Sequence, residues 1–427
     1  MPSDNETAHS HAHVPSRAVA TFRLTRVITL LVLIAVAGAT AIGLAVLWPD
    51  YAKVAEVAAS TQFASQSLEL EQGEVLSVGD DCSPFAGGNA AGDAGTASED
   101  AEGSGVIDDT TAALGACLAV SVGVRSGPDA GHVVEIPVRG ALANSGLRSG
   151  DRVELVASPG AGAGYGITQV YNVSGIFRNL PLALLAIAFA AVVIFVGRLR
   201  GLLALVALGI SGAVLLAFVL PALVAGGPGL LIGVVGSCAI MFAILYLVHG
   251  PNMRTTAALI GTLFGILIMA GISLLSVQVT RLSGIGDEAS GLLSALESPI
   301  DFRGLLSCSI IIAGLGVLND VTITQASSVW ELRAAAPDMP RSEIYARAMR
   351  IGRDHIASTV YTVVFAYVGA ALSVLILIYL YNRPLLSLLT QEDIAIEIVR
   401  TLCGSIGLVL AVPITTWVAA LFAAPHE

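Results

Sequence analysis

Lysine is almost missing from this chain of 427 residues: Lys53 is the one lysine among 21 basic residues. Its scarcity reads as a compositional bias more than as chemistry. Charge of either sign is scarce too, at 12% of residues, about half the share usual in a soluble protein. The net charge is −11, and nowhere is there the basic footprint that nucleic-acid binding requires, so nucleic acid is excluded as a partner. Two motifs are also absent. There is no Gly-x-x-x-x-Gly-Lys-Ser/Thr phosphate loop and no His-Glu-x-x-His, which removes a built-in nucleotide motor and a zinc-peptidase centre. No nucleophile–base pair stands out, so an enzyme is not expected, nor is a cofactor or a structural metal. The five cysteines form no metal or redox spacing. Cys238, Cys308 and Cys403 fall in apolar runs and read as small apolar side chains.

What the chain has instead is hydrophobicity, 55% of residues, gathered into runs of 18 or more. Such runs predict membrane-spanning helices. Eight are expected: 27–47, 180–196, 202–224, 230–248, 255–277, 304–329, 355–381 and 398–422. The first is too long for a secretory h-region and reads as an uncleaved anchor. It follows a polar tail, 1–26, expected to be disordered, in which His9, His11 and His13 alternate. A short tail, 423–427, closes the chain. Eleven arginines fall on the side of the N-terminus and five in the short loops opposite. That bias predicts both termini in the cytoplasm of a bacterial plasma-membrane protein, with the lipid bilayer as its first partner.

The acidity is concentrated. Between Asp50 and Glu154 there are 17 acidic and 5 basic residues. This region lies within 48–177, the one sizeable hydrophilic part, expected outside the cytoplasm. Short Val-rich runs at 74–78, 118–124, 132–138, 152–157 and 167–173, separated by Gly, Asp, Pro and Ser, predict strands and turns. Five strands in this length predict a small barrel of OB or SH3-like type. Residues 83–116 are mostly Gly, Ala, Ser, Asp and Glu, a composition that cannot bury enough apolar surface to fold. Cys82 and Cys117 flank this insertion, and in an oxidising compartment they can pair across it. The fold class expected is therefore an all-α polytopic bundle of about eight spans, with a β-barrel-like domain between spans one and two.

The chemistry concentrates in the sixth span. Asn319 and Asp320 interrupt an apolar run, and a carboxylate at the centre of a membrane helix costs ~2.5–3.5 kcal/mol on insertion scales. At helical spacing Gly316, Asp320, Thr324, Ser327 and Glu331 share one face. Asp320 is the candidate ion or proton site, with Asn319, Thr324 and Ser327 beside it and Glu331 as a secondary candidate. The competing reading is an inward polar residue that glues helices together. After the arginine-rich loop 330–354, in which 342–354 is expected as an interfacial amphipathic helix, comes a second polar group: His355, Thr359 and Thr362. Thr359 and Thr362 can meet Asp320; His355 lies nearer the membrane boundary and is the other secondary candidate.

Several of these segments carry a resemblance. Gly131-His-Val-Val-Glu-Ile, Gly150-Asp-Arg-Val, Ile176-Phe-Arg178, Gly197-Arg-Leu-Arg-Gly201, Gly316-Val-Leu-Asn-Asp-Val and Ile351-Gly-Arg-Asp354 resemble the YibE/F family of bacterial membrane proteins, from about Glu74 to the C-terminus. The resemblance implies a multi-pass plasma-membrane protein with an extracytoplasmic β domain. A shorter likeness links Gly316-x-x-Asn-Asp320, Glu331 and Arg333 to SecF and the resistance–nodulation–division permeases. It implies that Asp320 takes part in proton flow, with Thr359 or Thr362 facing it. Two functions remain open on these grounds: a gradient-coupled permease or export accessory for an ion, small molecule or protein, and a non-transporting scaffold whose β domain binds a partner.

Overall fold

The first apolar run begins its helix earlier than expected. In the computed structural model, which describes residues 16–60, 69–79, 82, 117–159, 167–295, 299–380 and 384–423, helix α1 spans Ser16–Val46. Residues 16–26 are therefore helical backbone, not part of a disordered tail: no Pro or Gly falls between Ser16 and Val27, and helix-compatible Arg17, Arg23 and Arg26 lengthen the apolar helix. The chain stops at Trp48-Pro49 and restarts as α2, Tyr51–Ser60, where Asp50 accepts the amides of Ala52 (3.0 Å) and Lys53 (3.4 Å) as an N-cap. The His9–His13 tract and the insertion 83–116 lie outside the described residues.

The chain divides into two compact units, Ala59–Ala191 and the remainder. The first is β: β1 (Glu69–Gly79), β2 (Cys117–Val124), β3 (Val133–Arg139), β4 (Arg152–Pro159) and β5 (Gln169–Ile176). All neighbours are antiparallel, in the order β3-β2-β1-β4-β5. The edge strands β3 and β5 approach each other, nearly closing a barrel. Alternation explains the inside: Val75, Val120, Val122, Val134, Ile136, Val153 and Leu155 are buried on one face. One end of this interior is polar. The Asp129 carboxylate, buried in the β2–β3 turn, accepts the Thr168 amide (3.0 Å) and hydroxyl (2.9 Å) and the Tyr171 hydroxyl (3.1 Å). Gly127 in the same turn has φ +83°, and any Cβ there would run into the Glu71 carboxylate, so only glycine fits. Cys82 and Cys117 are bonded to each other, with Cα atoms 5.7 Å apart.

The second unit is helical. Helix α3 (Asn179–Val214) continues through a π-turn, Leu215–Val219, into α4 (Leu220–Val224). Then come α5 (Gly229–His249), α6 (Met253–Val279), the short α7 (Glu288–Ala295), α8 (Phe302–Ala335), α9 (Arg341–Ala370), α10 (Leu372–Leu380), α11 (Leu385–Leu389) and α12 (Glu392–Phe422). Among the described residues, six helical stretches are long and apolar enough to cross a membrane, and seven if the bent pair α9–α10 is one span. The expected spans 180–196 and 202–224 belong to one 46-residue stretch, Asn179–Val224. Unbroken, it would measure about 69 Å at 1.5 Å per residue, roughly twice a bilayer core. It breaks at Arg198 (φ 51°, ψ −133°), where Gly201 comes against the Val193 carbonyl. The polar Arg198-Leu-Arg200 is too short to form a loop, so the break takes the form of one distorted residue. The expected interfacial helix 342–354 is likewise not separate. Ile344, Ala348 and Gly352 bury one side of it, so it runs straight into the next span as the first half of α9. A 70° bend then separates α10.

Glycine sets the spacing of the core helices. Gly229 and Gly233 of α5 lie against Gly304 and Cys308 of α8, and Gly261 and Gly265 of α6 lie against Thr415 and Leu318. Small residues at these four positions let the backbones approach. Around them Leu245, Leu259, Ile266, Met269, Ile311 and Leu318 are fully buried. Large apolar side chains on α1 and α3, such as Leu31, Ile34, Leu184 and Leu202, are exposed instead, as lipid-facing helices require.

Candidate functional site

Helix α8 carries polar residues on more than one side, so its sequence does not fix which side faces the bundle. The structure does. The buried side carries Leu315, Leu318, Thr322, Gln325 and Val329. Asp320 sits on the other side, roughly 140° and 200° around the helix from Gln325 and Thr322. The polar contacts inside the bundle are accordingly not those of the Asp320 stripe. Thr322 Oγ1 and Thr262 Oγ1 of α6 are 2.7 Å apart. Gln325 Nε2 donates to Thr416 Oγ1 of α12 (2.7 Å) and to the Ala348 carbonyl of α9 (2.9 Å). Such bonds between membrane helices average ~0.6 kcal/mol, yet leaving the Gln325 amide unmet in a dry core would cost more. Gln325 and Thr322 are thus the glue that the sequence assigned, as one alternative, to Asp320.

Asp320 has a different neighbour. Its Oδ2 lies 3.7 Å from His355 Nε2 of α9, with the Asp320 side chain 66% exposed and that of His355 30%. Among the described residues no hydrogen bond joins Asp320 to Thr359 or Thr362: the Thr359 hydroxyl donates to the His355 carbonyl (2.8 Å) and the Thr362 hydroxyl to the Ser358 carbonyl (3.1 Å). Both satisfy their own helix, as hydroxyls in membrane helices do. His355, ranked behind them, takes the position. Ser327 is spent the same way on the Ile323 carbonyl (2.8 Å). Thr324 is half-buried one turn beyond Asp320, and Glu331 is exposed further on. Asn319 is half-buried, and its Oδ1 is shut off from solvent without a hydrogen-bond partner among the described residues; the same is true of His355 Nε2. The site is therefore a carboxylate and an imidazole on two adjacent helices, with two buried polar atoms still to be satisfied.

The end of α8 is fixed by Arg333. It is buried and donates from Nη1 to the carbonyls of Pro337 (2.9 Å) and Met339 (2.7 Å). This clasp ties the α8–α9 connection to the helix and sets where α9 starts, hence where His355 falls.

Residues 185–425 match the family described as YibE/F-like protein. No curated protein and no solved structure matches the chain. The match covers more than half of the sequence and takes in α8, α9 and α12 with Asp320 and His355, and the helices around them are of membrane-crossing length; the chain is an integral membrane protein that belongs to the YibE/F-like family.

Proposed function

We propose that the protein is a proton- or ion-gradient-coupled permease or export accessory, not an enzyme, and that Asp320 with His355 binds and releases the coupling proton. The observation that carries this reading is a carboxylate and an imidazole 3.7 Å apart on two membrane helices, outside the hydrogen-bonded packing core. Stability does not account for the pair. An ion pair this exposed is worth ~0–1 kcal/mol, whereas placing the carboxylate in the span is unfavourable. Such a weak pair opens readily, and histidine is the side chain whose ordinary charge change falls in the physiological range. The absence of a nucleotide motif leaves an ion gradient or a partner as the source of work.

The same reading places both termini in the cytoplasm and the barrel outside the plasma membrane. The arginine bias supports that orientation, as does the Cys82–Cys117 bond, since disulfides persist in oxidising compartments. The test is proton flux in liposomes loaded with a pH-sensitive dye under a potassium diffusion potential. Wild-type vesicles are expected to run at least tenfold above protein-free vesicles, and Asp320→Asn to fall to background. Wild-type flux in Asp320→Asn would sink the proposal.

A further inference from the structure

Helices α8, α9 and α12 meet along one seam. Gly314 of α8 abuts Gly404 of α12, and Gln325 bonds Thr416, so these two helices run parallel and in step. Helix α9 runs against them, with Gly352 beside Gln325 and Val412. Between them lies a cavity of about 140 Å³ whose lining is mostly apolar, Gly314, Val317, Val363, Ala366 and Gly404 among it, with Thr362 and Tyr367 as its polar side chains. At ~30 Å³ per water this is room for about five, with the Thr362 and Tyr367 hydroxyls as partners.

What lies at its two ends is informative. Val317 is three residues from Asp320, so the cavity ends about 4.5 Å along the axis from the Asp320–His355 pair. At the other end Tyr367 of α9 and Gly404 of α12 both line the cavity. Arg400 Nη1 is 2.5 Å from Glu397 Oε1, and Arg400 lies one turn before Gly404. The Arg400 Nε is buried with no hydrogen-bond partner among the described residues, as are Asn319 Oδ1 and His355 Nε2 at the first end. Buried polar atoms of this kind are met by ordered water. The Glu397–Arg400 pair stands in the second and third turns of α12, at the boundary end of the expected span 398–422.

We propose that this seam is a water-filled proton path and that Tyr367 with the Glu397–Arg400 pair is its second station; this rests on the proton-coupled reading of Asp320. A proton on the Glu397 carboxylate weakens its pairing with Arg400. It is then passed along waters and the Tyr367 hydroxyl, each oxygen gaining one proton as it gives one up, and comes to rest on His355 Nε2 or the Asp320 carboxylate. Only O–H and N–H bonds form or break. In step with α8, the distance from the level of Arg400 to that of Asp320 is about 15 Å.

Thiol labelling tests the path without reference to transport. Thr362→Cys and Ala366→Cys, in the full chain in liposomes, are treated with a membrane-impermeant cationic thiol reagent. Val368→Cys, exposed as Thr362 and Ala366 are but on another side of α9, is the control. The three native free cysteines are buried and the other two are bonded, so background labelling is low. Modification of the two cavity cysteines at least tenfold faster than Val368→Cys is expected; equal rates overturn the path. In the flux assay Glu397→Gln, Tyr367→Phe and the cavity-filling Ala366→Leu are expected to slow wild-type flux at least tenfold. Loss of flux in Asp320→Asn with wild-type rates in these three would overturn the path and leave the Asp320 reading standing. No flux from the wild type would remove both.

Discussion

Asp129 shows how one side chain can tie the barrel's stability to pH. Burial alone would raise its carboxyl, but the Thr168 hydroxyl and amide and the Tyr171 hydroxyl outweigh it and hold the pKa below the ordinary value. A carboxyl depressed on folding contributes stability above its unfolded pKa, near 3.9, and loses it as pH falls through the lower folded value. The β1, β4 and β5 amides of the full chain are therefore expected to lose hydrogen-exchange protection below about pH 4, after correction for intrinsic rates, and Asp129→Asn to flatten that dependence. The Tyr171 phenol is pushed up by burial first, then by Asp129 and Glu71, so it stays protonated as the donor. Arg333 makes a second residue-scale case. Arg333→Gln removes two charge-assisted bonds worth ~1.5–3 kcal/mol each. It is expected to lower the thermal midpoint in detergent and to open the 336–340 connection to proteolysis; an unchanged digestion pattern would contradict the clasp. Asp320 was legible in the sequence because a carboxylate in an apolar run is conspicuous. Gln325 was not: it follows Thr324 in a helix with polar residues on more than one side, and nothing in the order of residues tells which side faces the bundle. Glu397 and Arg400 were hidden for another reason, standing where an acidic connection runs into the last apolar run.

At the scale of elements, the helix contacts separate essential glycines from tolerant ones. A Cβ on Gly229 would meet the Gly304 backbone, whereas one on Gly316 meets nothing within 4 Å. Gly229→Val is expected to cost ~1–3 kcal/mol or more, because backbone cannot move aside as a side chain can. Gly316→Ala should stay within ~0.5 kcal/mol. Thermal melts of the two variants in the same detergent decide this, and equal midpoints would contradict the packing described. The glycine pairs 229/233 and 261/265 are both close-packed. The element boundaries were hard to read from the sequence. The break at Arg198 and the continuity of α9 depend on which residues find partners, as Ile344, Ala348 and Gly352 do. Local composition does not carry that information.

At the scale of the molecule, the Cys82–Cys117 bond closes a sequence separation of 35 residues, worth about 4 kcal/mol in chain entropy. An intact mass two hydrogens below the fully reduced value is expected for the non-reduced protein, and reduction is expected to destabilise the barrel. A reduced mass from cells would count against the barrel's placement outside the cytoplasm. The bundle and the barrel were both foreshadowed by hydropathy and by Val-rich alternation, whereas the partner of Asp320 had to be found in the packing of α8 on α9. Proton flux through Asp320→Glu compared with Asp320→Asn, in the same dye-loaded liposomes, is the most direct measurement of what that pair does. Measurable flux with Glu and background flux with Asn is the expected result. Equal flux in the two variants, at any level above background, would contradict a protonatable carboxylate as the coupling group.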